Sequence, residues 1–130
     1  MNIIHNTTNL DLAGLKRSEE VTKEYKKKLQ EIKDSGKTPS QYIIEAMFTQ
    51  NEDYRFIENE YPYKLSKDFT HCLLWAKQDH TMQNVDWEWF CETLERGETK
   101  VIAIWENSHK KKSVTGIKHY HVIIKSKEYA

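Results

Sequence analysis

His71, Lys77, Asn107, Ser113, His119 and His121 are the side chains of this chain best suited to chemistry. His119 and His121 sit two apart in the run from Lys118 to Lys125, which reads as a β-strand. A period of two puts both imidazoles on one face. Titratable rings among apolar neighbours need a partner or a task. An imidazole can act as a nucleophile or move a proton, so His119 and His121 are the candidate catalytic side chains. His71, Lys77, Asn107 and Ser113 are the candidates to bind substrate, and the Lys110–Lys112 run adds positive charge beside them.

Each of these side chains also has a plainer role. Paired histidines on a strand can be a satisfied structural pair, Ser113 can cap a turn, and Asn107 favours turns. A lysine run is usually solvated. Trp75 and Trp105 could stack on a base, but alternating with aliphatics they fit a core better. Zinc could in principle draw on His71, Cys72, His119 and His121. However, His71 and Cys72 are adjacent on a strand and point to opposite faces, and neither a CxxC nor an HExxH motif is present. No metal or other cofactor is expected.

The 130 residues suit one domain, with 20 basic and 20 acidic side chains in balance. That balance argues against nucleic acid or a membrane surface as partner. Cys72 and Cys91 do not make a disulfide framework and read as small buried hydrophobes. The N-terminus is too short in apolar residues for a signal peptide, and no stretch could span a bilayer. A reducing, cytoplasmic compartment is expected.

Several elements must position the candidate residues. Met1 to Asp11 reads as a loose arm or short edge strand. Leu15, Val21, Tyr25, Leu29 and Ile32 recur at helical spacing up to Gly36, with Lys26–Lys28 on a solvated face. Thr38-Pro39-Ser40-Gln41 starts a second helix with a capping box, and Tyr42, Ile43, Met47 and Phe48 form its stripe. Tyr54 to Ile57 is a short strand, and His71 to Lys77 a mostly buried one. Asn84 or Asp86 caps a helix with Trp87, Phe90, Cys91 and Leu94 on one face, closed by Gly97. Val101 to Trp105 is a strand that pairs with the last one through the loop from Asn107 to Thr115. The expected fold is α+β: residues 1–50 as a helical hairpin, 54–125 as a largely antiparallel sheet with one further helix, all in one domain over 1–130. If the His71 strand lies beside the last two, all the candidate residues converge.

The segments Asn59-Glu-Tyr61-Pro62-Tyr63, His71-Cys-Leu-Leu-Trp75-Ala-Lys77, Asn107 with Lys112-Ser113-Val114, and His119-Tyr-His121-Val122 resemble a family of unknown function. That family occurs in fungi and large DNA viruses, and some members are called N-acetylglucosamine-induced protein 1. The resemblance covers Tyr54 to Ile124 and implies a shared fold and site without a known activity. A weaker likeness is to histidine-triad nucleotide-binding proteins, in which a strand ending in Lys, a helix, a strand with Asn, a Gln-Ser-Val step and alternating histidines follow in order. This likeness implies His119 as the nucleophile at phosphorus, His121 as the group that binds a phosphate oxygen or protonates the leaving group, Ser113 and Asn107 as holders of phosphate or sugar oxygens, and Lys77 with the Lys110–Lys112 run as the offset to phosphoryl charge. Here Lys112 replaces the Gln, Thr115 to Lys118 displace the first histidine, and the Gly-rich phosphate loop is missing. Two-histidine phosphoesterases fit poorly, since Leu73 and His121 stand where they carry Thr or Ser.

These readings lead to a phosphate- or nucleotide-binding protein, with hydrolase or nucleotidyl-transferase chemistry through His119. The alternative is a non-catalytic interaction module, viral or fungal, with a protein partner and a structural histidine cluster.

Overall fold

The computed structural model describes residues 1–48, 53–76, 85–107 and 118–126. Five strands make one sheet: β1 (Asn2–Asn6), β2 (Tyr54–Glu58), β3 (Phe69–Ala76), β4 (Thr99–Glu106) and β5 (Lys118–Ser126). Their order is β1-β4-β5-β3-β2, and every pairing is antiparallel. The expected α+β arrangement is what forms. β5 lies between β3 and β4, so its histidines sit at the centre of the sheet rather than at a solvated edge.

Helices α1 (Glu19–Asp34) and α2 (Pro39–Met47) make the N-terminal hairpin. α1 begins four residues later than the apolar spacing suggests. Leu12–Gly14 is a separate 3-10 turn, Leu15 is extended, and the Ser18 side chain accepts from the Val21 N–H as N-cap. The helix ends at Ser35, followed by Gly36 at φ 82°, a left-handed conformation that glycine adopts without a Cβ penalty. At α2 the Thr38–Gln41 capping box closes in both directions. α3 (Trp87–Glu95) is capped by Asp86, while Asn84 lies outside the described residues.

The sheet separates two apolar layers. On one face Cys72, Leu74, Ile104, Tyr120 and Val122 pack against Trp87, Phe90, Cys91 and Leu94 of α3. On the other face Leu73 and Trp75 pack against Phe48 and against Ile43, Ile44 and Met47 of α2. Beside them Trp105, Ala103, Ile102 and Ile123 pack with Leu12, Leu15 and Tyr63.

A register shift between Val101 and Ala103 decides what the second face contains. Val101 pairs with Ile124, but Ala103 pairs with Ile123 and Trp105 with His121. Such a bulge inserts one residue into a strand and reverses the facing of everything beyond it. Strict alternation from Val101 would send the Trp105 indole toward α3. The bulge turns it toward His121.

Ile104 is fully buried between the sheet and α3. Ile104→Ala is expected to lower unfolding free energy by about 2–5 kcal/mol, read from urea denaturation midpoints.

Candidate functional site

The histidine-bearing face of the sheet is roofed by the α1–α2 hairpin. Between them lies a cavity of about 260 Å³. His119, His121, Trp75 and Asn107 line its floor, and Tyr61 and Tyr63 one side. Arg17, Tyr25 and Lys28, with Tyr42 of α2, line the rim, and apolar side chains such as Leu29, Ile32 and Met47 fill the wall between. His119 and His121 are 7% and 4% exposed, so what little they show to the outside opens into this cavity.

The two strand histidines have different surroundings. His119 packs on the Trp75 ring at 4.4 Å between centroids and meets His121 edge-on at 5.5 Å. His121 lies in a stack with His71, Tyr63 and Trp105, at centroid distances of 5.0, 5.5 and 5.1 Å. β3 and β5 pair so that Leu73 is opposite His121 and Trp75 opposite His119, which brings His71 diagonally into reach. His71 Nε2 and His121 Nδ1 are 2.8 Å apart.

The protons of this pair follow from its neighbours. The Tyr63 N–H donates to His71 Nδ1 at 3.1 Å, and the Asn59 amide nitrogen faces the same atom at 3.5 Å. Asn59 cannot present its oxygen there, because Oδ1 accepts from the Tyr61 N–H at 2.9 Å. His71 Nδ1 is therefore the bare acceptor, and its neutral ring carries the proton on Nε2. That proton is donated to His121 Nδ1, which leaves the proton of His121 on Nε2.

At the other end, the Trp105 indole can only donate, and it holds Asn107 Oδ1 at 3.0 Å. The Asn107 amide nitrogen then donates to Tyr63 Oη at 3.0 Å and lies 3.1 Å from His121 Nε2. Two N–H groups meet at that last contact. Any neutral arrangement of the pair leaves one ring proton aimed at another donor. The tautomer set by Tyr63 and Asn59 puts it on His121, the ring that lines the cavity.

A further proton on either ring would add a second clash. Burial, together with the Arg17 and His119 charges, lowers His71 from 6.5 to about 3. Burial, with His71, His119 and Arg17, lowers His121 to about 2. Both rings are uncharged at neutral pH.

The expected residues fall into three groups. His119, His121 and Asn107 meet at the cavity. His71, expected to touch substrate, instead lies 2% exposed behind His121, because both its nitrogens are taken by Tyr63, Asn59 and His121. Lys77, Ser113 and the Lys110–Lys112 loop lie outside the described residues. Trp105 is fully buried, and Trp75 is buried with one side on the cavity.

Arg17, Lys28, Asn59 and Tyr63 were not singled out as site residues by sequence. Lys28 had a signal, since it lies three residues after Tyr25 and one before Leu29, beside the apolar stripe rather than opposite it. Its Nζ sits 4.8 Å from the Tyr42 ring centroid, and that hydroxyl raises the lysine's pKa. Asn59 and Tyr63 belong to the Asn59–Tyr63 motif, whose turn wraps around His71. Arg17 has no local signal.

Comparison with known proteins adds two findings. Residues 1–125 match a family described as "Protein of unknown function (DUF3605)", so the match includes the helical hairpin as well as the sheet. A solved structure titled "Crystal Structure of HTC1" superposes with a TM-score of 0.61 at 21% identity, covering 88% of this chain and 77% of that one, which is a likeness of fold. No curated protein matches. Among the described residues no helix is long and apolar enough to cross a membrane, and no group of three or more His, Cys, Asp or Glu could hold a metal.

Rings held neutral in the fold but free to protonate when unfolded favour unfolding in acid. Their effect is absent above the ordinary histidine value of 6.5, grows as pH falls below it, and levels off near 3 to 2. Wild-type stability is expected to fall from pH 6.5 downward by up to about 1.4 kcal/mol per pH unit for each ring. His121→Gln removes part of that slope. Urea titrations at a series of pH values check this, and equal slopes for both proteins would exclude it.

Proposed function

The chain belongs to the DUF3605 family, and we propose that it binds a phosphate-bearing small molecule, in particular a nucleotide, between the helical hairpin and the sheet. One observation carries this reading: His119 and His121 line the same cavity as Arg17 and Lys28. A concave apolar site with a few converging polar groups is the usual form of a ligand pocket. At about 260 Å³ this one is small, which suits a mononucleotide better than a dinucleoside polyphosphate. Tyr25, Tyr42, Tyr61 and Trp75 place aromatic rings on the cavity lining, the kind of side chain that packs against a base. The His121 Nε2 proton, short of an acceptor, suits a ligand oxygen.

Catalysis is the second step of the proposal, by analogy with histidine-triad proteins. A ring nitrogen of His119 forms an N–P bond while the P–O bond to the leaving group breaks and its electron pair departs on that oxygen. Water then cleaves the N–P bond. An uncharged His121 donates a hydrogen bond to a phosphate oxygen and is not the acid. Asn107 is a positioning residue, since it acts on ligand through His121. The free thiols of Cys72 and Cys91 fit the cytoplasmic setting that the proposal assumes.

A non-catalytic interaction module is the second reading. It is favoured by the Trp89 indole, 57% exposed on α3, on the face of the sheet opposite the cavity.

Thermal unfolding with a panel of nucleotides and sugar phosphates separates the two. A ligand at about a hundred times its Kd adds about 2.7 kcal/mol, a rise of several degrees. The expected result is a shift with a nucleotide that is reduced in His119→Ala. A flat panel would overturn the phosphate-site reading and leave the interaction module.

A further inference from the structure

Arg17 is a cation held in place on three sides. It precedes the Ser18 cap of α1 and is half-buried at the cavity rim. Its Nε donates to the Tyr61 carbonyl at 2.7 Å. Its guanidinium lies over two rings, 4.2 Å from the Tyr25 centroid and 5.2 Å from that of Tyr63. Tyr25 in turn packs on Tyr61 at 5.3 Å. The side chain is thus anchored at Nε and clamped on its faces, so little rotamer freedom remains to be lost on binding.

The anchor uses one of the five N–H donors of the group. Among the described residues no carboxylate pairs with Arg17. The Nη groups are left as a fork, the geometry that receives two oxygens of a phosphate or carboxylate. Lys28 lines the same cavity, and Glu60 is its acidic side chain. Two cations against one carboxylate leave one positive charge in excess, which suits an anionic ligand.

We propose that Arg17 is the oxyanion receptor of this pocket and that its ligand is a phosphomonoester, held by the phosphate at the Arg17 rim with its organic part against the apolar wall of the hairpin. This rests on the phosphate-site reading above and goes further by assigning the charge contact to the N-terminal hairpin. It moves that contact away from the C-terminal lysines. The neutral His71–His121 pair then supplies hydrogen bonds and no charge. Arg17 reads the presence of the phosphate, and the hairpin reads the remainder.

The test is titration calorimetry on the full chain with the four common nucleoside monophosphates and with glucosamine 6-phosphate, each beside its unphosphorylated parent. Wild type is expected to prefer a phosphorylated member over its parent by about 10- to 100-fold, the range of a charge-assisted bidentate contact. Arg17→Gln is expected to collapse that preference to within about 3-fold while the parent binds as before. Arg17→Lys, which keeps the charge but not the fork, should fall between. A purely structural role for Arg17 would weaken ester and parent together and leave their ratio unchanged. Thermal midpoints of both variants report folding, and Arg17→Lys serves as the test if Arg17→Gln unfolds. A wild-type ratio that survives in the variants overturns the Arg17 assignment alone. Failure of wild type to bind any ester overturns the assignment and the phosphate-site reading together.

Discussion

The 2.8 Å contact between His71 and His121 is the interaction on which the rest of this face depends. Two imidazoles bring two protons to four ring nitrogens, and the protein directs donors at both outer positions. The Tyr63 N–H fixes one end and the Trp105-oriented Asn107 amide approaches the other. Neither ring can take up a further proton without adding another clash. A buried polar network with all members engaged specifies one arrangement of its core, whereas a partly engaged one costs free energy. Here the shortfall is confined to one contact, between the Asn107 amide and His121 Nε2, on the ring that borders the cavity.

That arrangement ties together segments far apart in the chain. The Asn59–Tyr63 turn closes over His71, with the Asn59 N–H donating to the His71 carbonyl and the Asn59 side chain holding Tyr61. Tyr61 then offers its carbonyl to Arg17, and Tyr63 lies between Arg17 and the histidine stack. The hairpin is thereby connected to the sheet through polar contacts as well as through Ile43, Ile44 and Met47. The resulting cavity sets a neutral His71–His121 pair at its floor apart from the Arg17 and Lys28 cations at its rim.

The two faces of the sheet also divide the work. The α3 face is an apolar layer of aliphatic and aromatic packing. The hairpin face carries the buried polar residues Asn59, His71, Asn107, His119 and His121. Buried polar groups are costly unless they are bonded, and on this face they are concentrated beside the cavity, with Asn59, His71, His121 and Asn107 joined in one network.

Local features of this protein were legible in its sequence because they depend on neighbours a few residues away. A period of two placed His119 and His121 together, and Thr38 with Gln41 closed a capping box as written. Tertiary structure decided the rest. The bulge in β4 turns Trp105 toward His121, and it exists only as a register between two strands, so alternation along one strand points the other way. His71 became a buried support because residues on the 59–63 turn occupy its nitrogens, which no spacing around His71 announces. Arg17 is 44 residues from the Tyr61 carbonyl that holds it. Sequence determines which side chains share a strand face or a helix stripe, while long-range pairing determines which of them meet across elements. The pocket is made of contacts of the second kind.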